Sequence, residues 1–246
     1  MIKGVLFDLG ATLLYTPQRR SWAAVVEHMH ADLAAALQAT GYAVDPADFI
    51  NRFAARLSEF DQQGQTDWVE YTTSWVLNTT LQEMGAPALT PEAAAQVLAA
   101  YHRYSESLCE VAPGAHPVLE GLAAAGMRLG LISNGSDSGG AFRLLDRLDL
   151  RRFFDPVLHS AIVGVRKPNP EIFRLALAAW GLPPQACAMV GDTLGADILG
   201  AQLAGLHNVW FSAYADSPAN RAHQGNIIPE AEIERLADLP AVLAQW

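Results

Sequence analysis

The chain has 246 residues, 51% hydrophobic and 17% charged, with a mean hydropathy of +0.12; it can build a large core and is excluded from the disordered class. Lys and Arg number 16 against 26 Asp and Glu, a net charge of −10, which argues against nucleic acid or an anionic membrane surface as a partner. Cys109 and Cys187 form neither a CxxC pair nor a zinc spacing, so no disulfide framework is expected and a reducing, cytoplasmic setting is.

The first apolar run, ended by Asp8, is too short for a signal peptide and is predicted to be a strand over 4–7. From Gln18 to about Cys109 the pattern is helical. Trp22, Val25, Val26, Met29, Leu33 and Leu37 keep the spacing of one helix face. Asp45-Pro46 and Thr90-Pro91-Glu92 read as capped helix starts. A further helix is predicted over 67–84, ended by Gly85 and Pro87. Beyond this block, apolar runs at 129–133, 157–160, 186–190 and 208–211 alternate with helical stretches at 117–125, 140–148, 170–180 and 196–204. An edge strand near Ile233 and a short last helix close the chain. The uncharged run 175–191 contains Gly181, Pro183 and Pro184 and is no membrane span. The expectation is an α/β fold: a Rossmann-like parallel sheet core at 1–15 and 113–246, with an all-helical cap inserted at 16–112.

Ligands of such sheets bind beyond the carboxyl ends of the strands. Asp8 follows the first predicted strand. Ser133, Asn134 and Gly135 end the second. Asp192 follows the strand at 186–190, with Asp197 five residues later, and Lys167 precedes the helix at 170. One edge then gathers three carboxylates, a hydroxyl and an ammonium. Hard carboxylate oxygens suit Mg²⁺ bridging to phosphate, a carboxylate can act as a nucleophile, and Ser133 and Lys167 can hold phosphoryl oxygens.

Phe7-Asp8-Leu9-Gly10-Ala11-Thr12-Leu13, Ile132-Ser133-Asn134-Gly135, Arg166-Lys167-Pro168 and Gly191-Asp192-Thr193-Leu194-Gly195-Ala196-Asp197 together resemble the haloacid dehalogenase-like hydrolase superfamily. The resemblance is to its phosphatase-type branch, with a helical cap between the first and second motifs. Each motif alone is weak; four in order are specific. The resemblance implies that Asp8 is the nucleophile and a Mg²⁺ ligand, and that Gly10 lends its backbone carbonyl to the metal. It implies that Asp192 binds Mg²⁺ and Asp197 supports it through water. Thr12 would support the turn after the first strand and reach the phosphate region. Ser133 and Asn134 would bind the substrate phosphoryl group, and Lys167 would neutralise it together with Asp8. One departure stands out: phosphatases of this family usually carry a second Asp, the general acid and base, where this chain has Gly10.

Structural readings compete with these. Asp8 alone would be a turn residue, Asp192 and Asp197 helix-dipole partners, Lys167 a solvated loop charge, and Thr193 a cap. Asn169-Pro170 reads as a helix start only. Trp22, Trp68 and Trp75 are expected in the core, and Cys187 as an inert buried thiol. His28 and His30 cannot face one way on a helix, and the other five histidines are expected at the surface or in packing. Tyr15, Arg19 and Arg20, near the core–cap junction, are candidate substrate contacts. The expected function is a Mg²⁺-dependent phosphohydrolase of a small phosphomonoester, acting through an aspartyl-phosphate. The alternatives are a 2-haloacid dehalogenase and a non-catalytic phosphate-ligand binding protein.

Overall fold

The computed structural model describes residues 1–17 and 21–246; Arg19 and Arg20 lie outside them. The first strand, β1 (Gly4–Phe7), is buried along its whole length. It leads into β2 (Leu14–Tyr15), which pairs antiparallel with β3 (Glu110–Val111). This small ribbon, absent from the sequence expectation, brings the two ends of the helical block together.

The block holds α1 (Trp22–Ala39), α2 (Pro46–Asp67), α3 (Thr73–Glu83) and α4 (Pro91–Ser107). Ser21, Asp45, Thr72 and Thr90 each accept a backbone N–H of the first turn with the side chain, satisfying a donor that has no intrahelical partner. Val25, Met29, Leu33, Leu37, Phe49, Phe53, Leu77, Leu81 and Tyr101 form a core of the block's own.

The predicted helix over 67–84 is corrected. α2 continues to Asp67, Trp68 turns left-handed at φ 60°, and α3 begins only at Thr73. The segment between them gives its backbone to the α/β core instead: Arg166 N–H donates to the Trp68 carbonyl (3.0 Å) and Glu70 N–H to the Gly164 carbonyl (3.1 Å). Periodicity cannot distinguish a helix turn from a connector whose partners lie in another segment. Trp22 and Trp75 are 64% and 46% exposed rather than core residues.

The remaining strands are β4 (Arg128–Ser133), β5 (Val157–His159), β6 (Cys187–Gly191), β7 (His207–Phe211) and β8 (Ala231–Ile233). With β1 they form a parallel sheet in the order β5-β4-β1-β6-β7-β8. Helices α5 (Ala115–Ala124), α6 (Ser138–Arg147), α7 (Ser160–Val163), α8 (Pro170–Trp180), α9 (Leu199–Ala204), α10 (Pro218–His223) and α11 (Leu239–Leu243) complete the core. Alternation along β1 separates the two faces: Val5 and Phe7 pack with Leu119, Leu131 and Val190, and Leu6 with Ile132, Phe173 and Met189. Ser160, expected to end a strand, instead opens α7. The helix expected at 196–204 starts as a wide π-helical turn, Leu194–Ile198, before α9.

Central β1 lies between β4 and β6, where the strand order reverses. The crevice at that switch point is where α/β sheets bind ligands, and Asp8, Ser133 and Asp192 all stand at that edge. Among the described residues, no helix is long and apolar enough to cross a membrane.

Candidate active site

Lys167 is the hub of the site. Its ammonium donates to Asp8 Oδ1 (2.6 Å), Asp197 Oδ1 (2.7 Å) and the Ile132 carbonyl (2.8 Å), which uses all three of its donors. The Lys167 and Asp197 side chains are each 1% exposed. Asn134 fixes the lysine's backbone: its Oδ1 accepts Lys167 N–H (2.8 Å) and its Nδ2 donates to the Lys167 carbonyl (2.9 Å). Asn134, expected on the phosphoryl group, lines the neighbouring cavity while its amide holds the Lys167 backbone.

Asp197 is held from both ends. Its second oxygen accepts Thr193 N–H at 2.9 Å, while the Thr193 side chain caps nothing. Its carboxylate lies so close to Gly191 that a Cβ there would sit 2.3 Å from Asp197 Cγ; only glycine lets the strand end approach this carboxylate. The Asp192 carbonyl accepts from Trp210 Nε1 (2.7 Å) and Asn220 Nδ2 (2.9 Å). Asn220 Oδ1 also accepts Leu194 N–H at 2.8 Å, so one buried amide clamps the turn on both sides of Thr193. Nothing in the sequence marked Asn220.

Asp8, Asp192 and Asp197 each bring one carboxylate oxygen within 4.8 Å of the others. Among the described residues three carboxylates face one ammonium, which leaves two negative charges in excess there when all are ionised. Burial, reinforced by Asp197 and opposed by Lys167, pushes Asp8 up to about 6. Burial, with Asp8 and Asp197 nearby, pushes Asp192 up to about 8. Burial disfavours the Lys167 ammonium, but Asp197 and Asp8 overrule it and hold the group above its ordinary value. A hard divalent cation fits both the donor chemistry and the missing charge.

Gly10 and Ser133 line a cavity of about 950 Å³ beside this cluster. Ser133 ends β4 and is 6% exposed. A Cβ on Gly10 would meet nothing within 4 Å. Thr12, by contrast, is fully buried, and its hydroxyl has no hydrogen-bond partner among the described residues; it lies inside the turn rather than on the cavity wall. Tyr15 does line the cavity, stacked on Tyr214 with centroids 5.0 Å apart. Trp22, His102, Glu106 and Cys109 line it from the helical block.

Two of the histidines expected at the surface or in packing prove to be cavity residues. His159 is buried, pushed down to about 4 by that burial, and touches Gly135 so closely that a Cβ there would lie 2.9 Å from its Nε2. His102 Nε2 lacks a hydrogen-bond partner and sits 3.8 Å from Asp137 Oδ2. His28 and His30 instead pack on Tyr104 and Tyr101. Cys187 opens β6 fully buried, its thiol pushed up to about 11 by burial.

A model of the haloacid dehalogenase-like hydrolases matches residues 2–205. The chain belongs to this family. Among relatives of this chain, a glyceraldehyde 3-phosphate phosphatase of Pyrococcus abyssi is 37% identical over 58% of this chain and 59% of its own length. A second one, from Pyrococcus furiosus, is matched over 50% of its length, so the chain spans little more than half of these relatives. A pyrimidine 5'-nucleotidase of Escherichia coli is 32% identical over 72% of this chain and 78% of its own. Among solved structures, a 2-haloacid dehalogenase of Pseudomonas syringae superposes with a TM-score of 0.70 at 28% identity, covering 100% of both chains. A haloacid dehalogenase-type phosphatase of Thermococcus onnurineus gives 0.65 at 25% identity, covering 98% of both.

Proposed function

We propose that this hydrolase is a Mg²⁺-dependent phosphatase of small phosphomonoesters, with Asp8 as its nucleophile. The observation that carries the reading is the buried Asp8–Lys167–Asp197 array with Asp192 beside it, adjoining a cavity and, when all three acids are ionised, two negative charges in excess among the described residues. The phosphatase and nucleotidase relatives support it.

An Asp8 carboxylate oxygen attacks phosphorus in line. A P–O bond to Asp8 forms as the bond to the leaving alcohol oxygen breaks, and that oxygen takes up a proton. Water then attacks the aspartyl-phosphate, releasing inorganic phosphate and restoring the carboxylate. Lys167 holds the Asp8 side chain in place and neutralises the phosphoryl charge as it spreads. Ser133 donates its hydroxyl to a phosphoryl oxygen. Asn134 sets the position of Lys167, and Thr12 supports the turn that carries Asp8. Asp8, Asp192 and the Gly10 carbonyl would hold Mg²⁺, with Asp197 behind them, and the bound ion would supply counter-charge to the phosphate. Residues 16–112 act as a cap that closes over the core, 1–15 and 113–246, and excludes water. Two free cysteines among the described residues and a net charge of −10 fit a cytoplasmic enzyme working on small molecules, with neither nucleic acid nor membrane as partner.

The test is phosphate release from a panel of phosphomonoesters, with Mg²⁺ or with EDTA, in wild type and Asp8→Asn. Turnover that needs Mg²⁺ and falls roughly 10³-fold or more in the variant is expected. Equal rates in both proteins would overturn the assignment. The dehalogenase that superposes along the whole chain favours one second reading, in which Asp8 attacks carbon and halide leaves. Halide release from 2-haloacids that is indifferent to EDTA would establish it.

A further inference from the structure

The connector between α2 and α3 reaches the two core segments that matter most for phosphate. Val69 bridges Val165, next to Arg166 and Lys167. At its other end Thr73 N–H donates to the Ser136 carbonyl (2.9 Å) and the Thr73 hydroxyl to the Ser136 hydroxyl (2.6 Å). Between these contacts lies Glu70, an acid in the helical block whose side chain is only 4% exposed.

A carboxylate buried this far needs partners. Arg166 Nε is 3.9 Å from Glu70 Oε2, too far for a hydrogen bond. The close partner is the Ser160 hydroxyl, which donates to the same oxygen at 2.6 Å. Ser160 Oγ in turn accepts Gly135 N–H at 2.9 Å. The Gly135 carbonyl is a second acceptor, 3.2 Å from Ser160 Oγ. A hydroxyl has one proton, so the shorter, charged contact to Glu70 takes it. Donating to a carboxylate polarises the hydroxyl and makes its oxygen a better acceptor for Gly135 N–H. The chain Glu70–Ser160–Gly135 therefore runs from the helical block into the turn that begins with Ser133.

We propose that Glu70 is a positioning residue: acting through Ser160, it holds the turn of Ser133, Asn134 and Gly135 in the shape that receives a phosphoryl group. The proposal rests on the phosphatase reading above. Glu70 touches no substrate. Its effect is to make the phosphate turn firm when the helical block sits on the core, so that binding and closure favour each other.

The test compares Glu70→Ala, Glu70→Gln, Ser160→Ala and the double alanine variant in the full chain. Two quantities are measured: amide exchange at Gly135, and inhibition of phosphatase turnover by inorganic phosphate with Mg²⁺. Glu70→Ala should speed exchange at Gly135 and weaken phosphate inhibition, each roughly tenfold, the loss of one charge-assisted hydrogen bond. Glu70→Gln keeps an oxygen acceptor for Ser160 and should stay within about threefold of wild type. Ser160→Ala should match Glu70→Ala, and the double variant should be no worse than either, because the two groups act as one chain. Wild-type exchange at Gly135 in folded Glu70→Ala would overturn the proposal, as would additive losses or a Gln variant as impaired as Ala. If wild type is inert to phosphate esters, the phosphatase reading fails, and exchange at Gly135 still decides whether Glu70 holds the turn.

Discussion

The two walls of the cavity satisfy their charges differently. The sheet wall is backed by Lys167, Asp8 and Asp197, which are almost fully buried and joined by contacts of 2.6 and 2.7 Å. On the helical side, Glu106 pairs with Arg143 at 2.6 Å, but Arg143 is 42% exposed, so water shares the pair. A buried pair that loses one member leaves a costly orphan, whereas a solvated pair loses little. The sheet wall therefore tolerates almost no change in its charges, while the Glu106–Arg143 pair is free to vary.

Lys167→Met breaks this contrast most severely. It removes the one cation between two buried carboxylates. Phosphatase activity should vanish, and urea unfolding should show a loss of about 3–5 kcal/mol, smaller at acidic pH where the carboxylates take up protons. Next is Gly10→Asp, which adds to the sheet wall the acid it lacks. The open space around Gly10 accepts the side chain. A positioned acid helps poor leaving groups, by up to ~10²–10⁴-fold. The ratio of kcat/KM for an alkyl over an aryl phosphate should rise roughly tenfold or more. An unchanged ratio in a folded, Mg²⁺-binding variant would move the search for the proton donor to the helical wall.

A third test titrates the sheet wall. Asp8 and Asp192 are held up to about 6 and about 8. The folded protein without metal thus keeps protons that the unfolded chain has released above the usual carboxylate range. Its stability falls as pH rises through that window. Mg²⁺ requires the deprotonated carboxylates, so the gain in Tm from Mg²⁺ over EDTA should grow between about pH 5.5 and 8.5, by a few degrees for each kcal/mol. A constant gain would remove these two carboxylates from the metal site. The smallest effect belongs to the helical wall. Glu106→Gln should cost less than about 1 kcal/mol in stability and leave aryl phosphate kcat unchanged, while KM values across a substrate panel shift relative to one another.

Strand ends were legible because apolar runs stop at them: Asp8, Ser133 and Asp192 stand where each run breaks. Lys167 was added from its place just before the helix at 170, although it lies 159 residues from the Asp8 it contacts. Asn134 was found, but not its hold on the Lys167 backbone, since a motif names a residue and not the atom it binds. Glu70 and Asn220 left no trace in the sequence. Ser160, which donates to Glu70, is 90 residues from it, and Asn220 binds backbone atoms up to 28 residues away. Carbonyl and N–H groups occur at every position and carry no pattern. The helix expected over 67–84 failed for the same reason, as its missing turn hydrogen-bonds to Gly164 and Arg166.

The clamp of Asn220 on Asp192 sets where the chain can be shortened. All four motifs lie before residue 198, and an engineer seeking a minimal catalyst would be drawn to cut just after α9. That fragment would keep the three carboxylates and lose both side chains that hold the Asp192 carbonyl, Trp210 and Asn220. It would also lose β7, the neighbour of β6 in the sheet. Its failure would come from an acid on an unbraced loop, although every letter of the four motifs was still present.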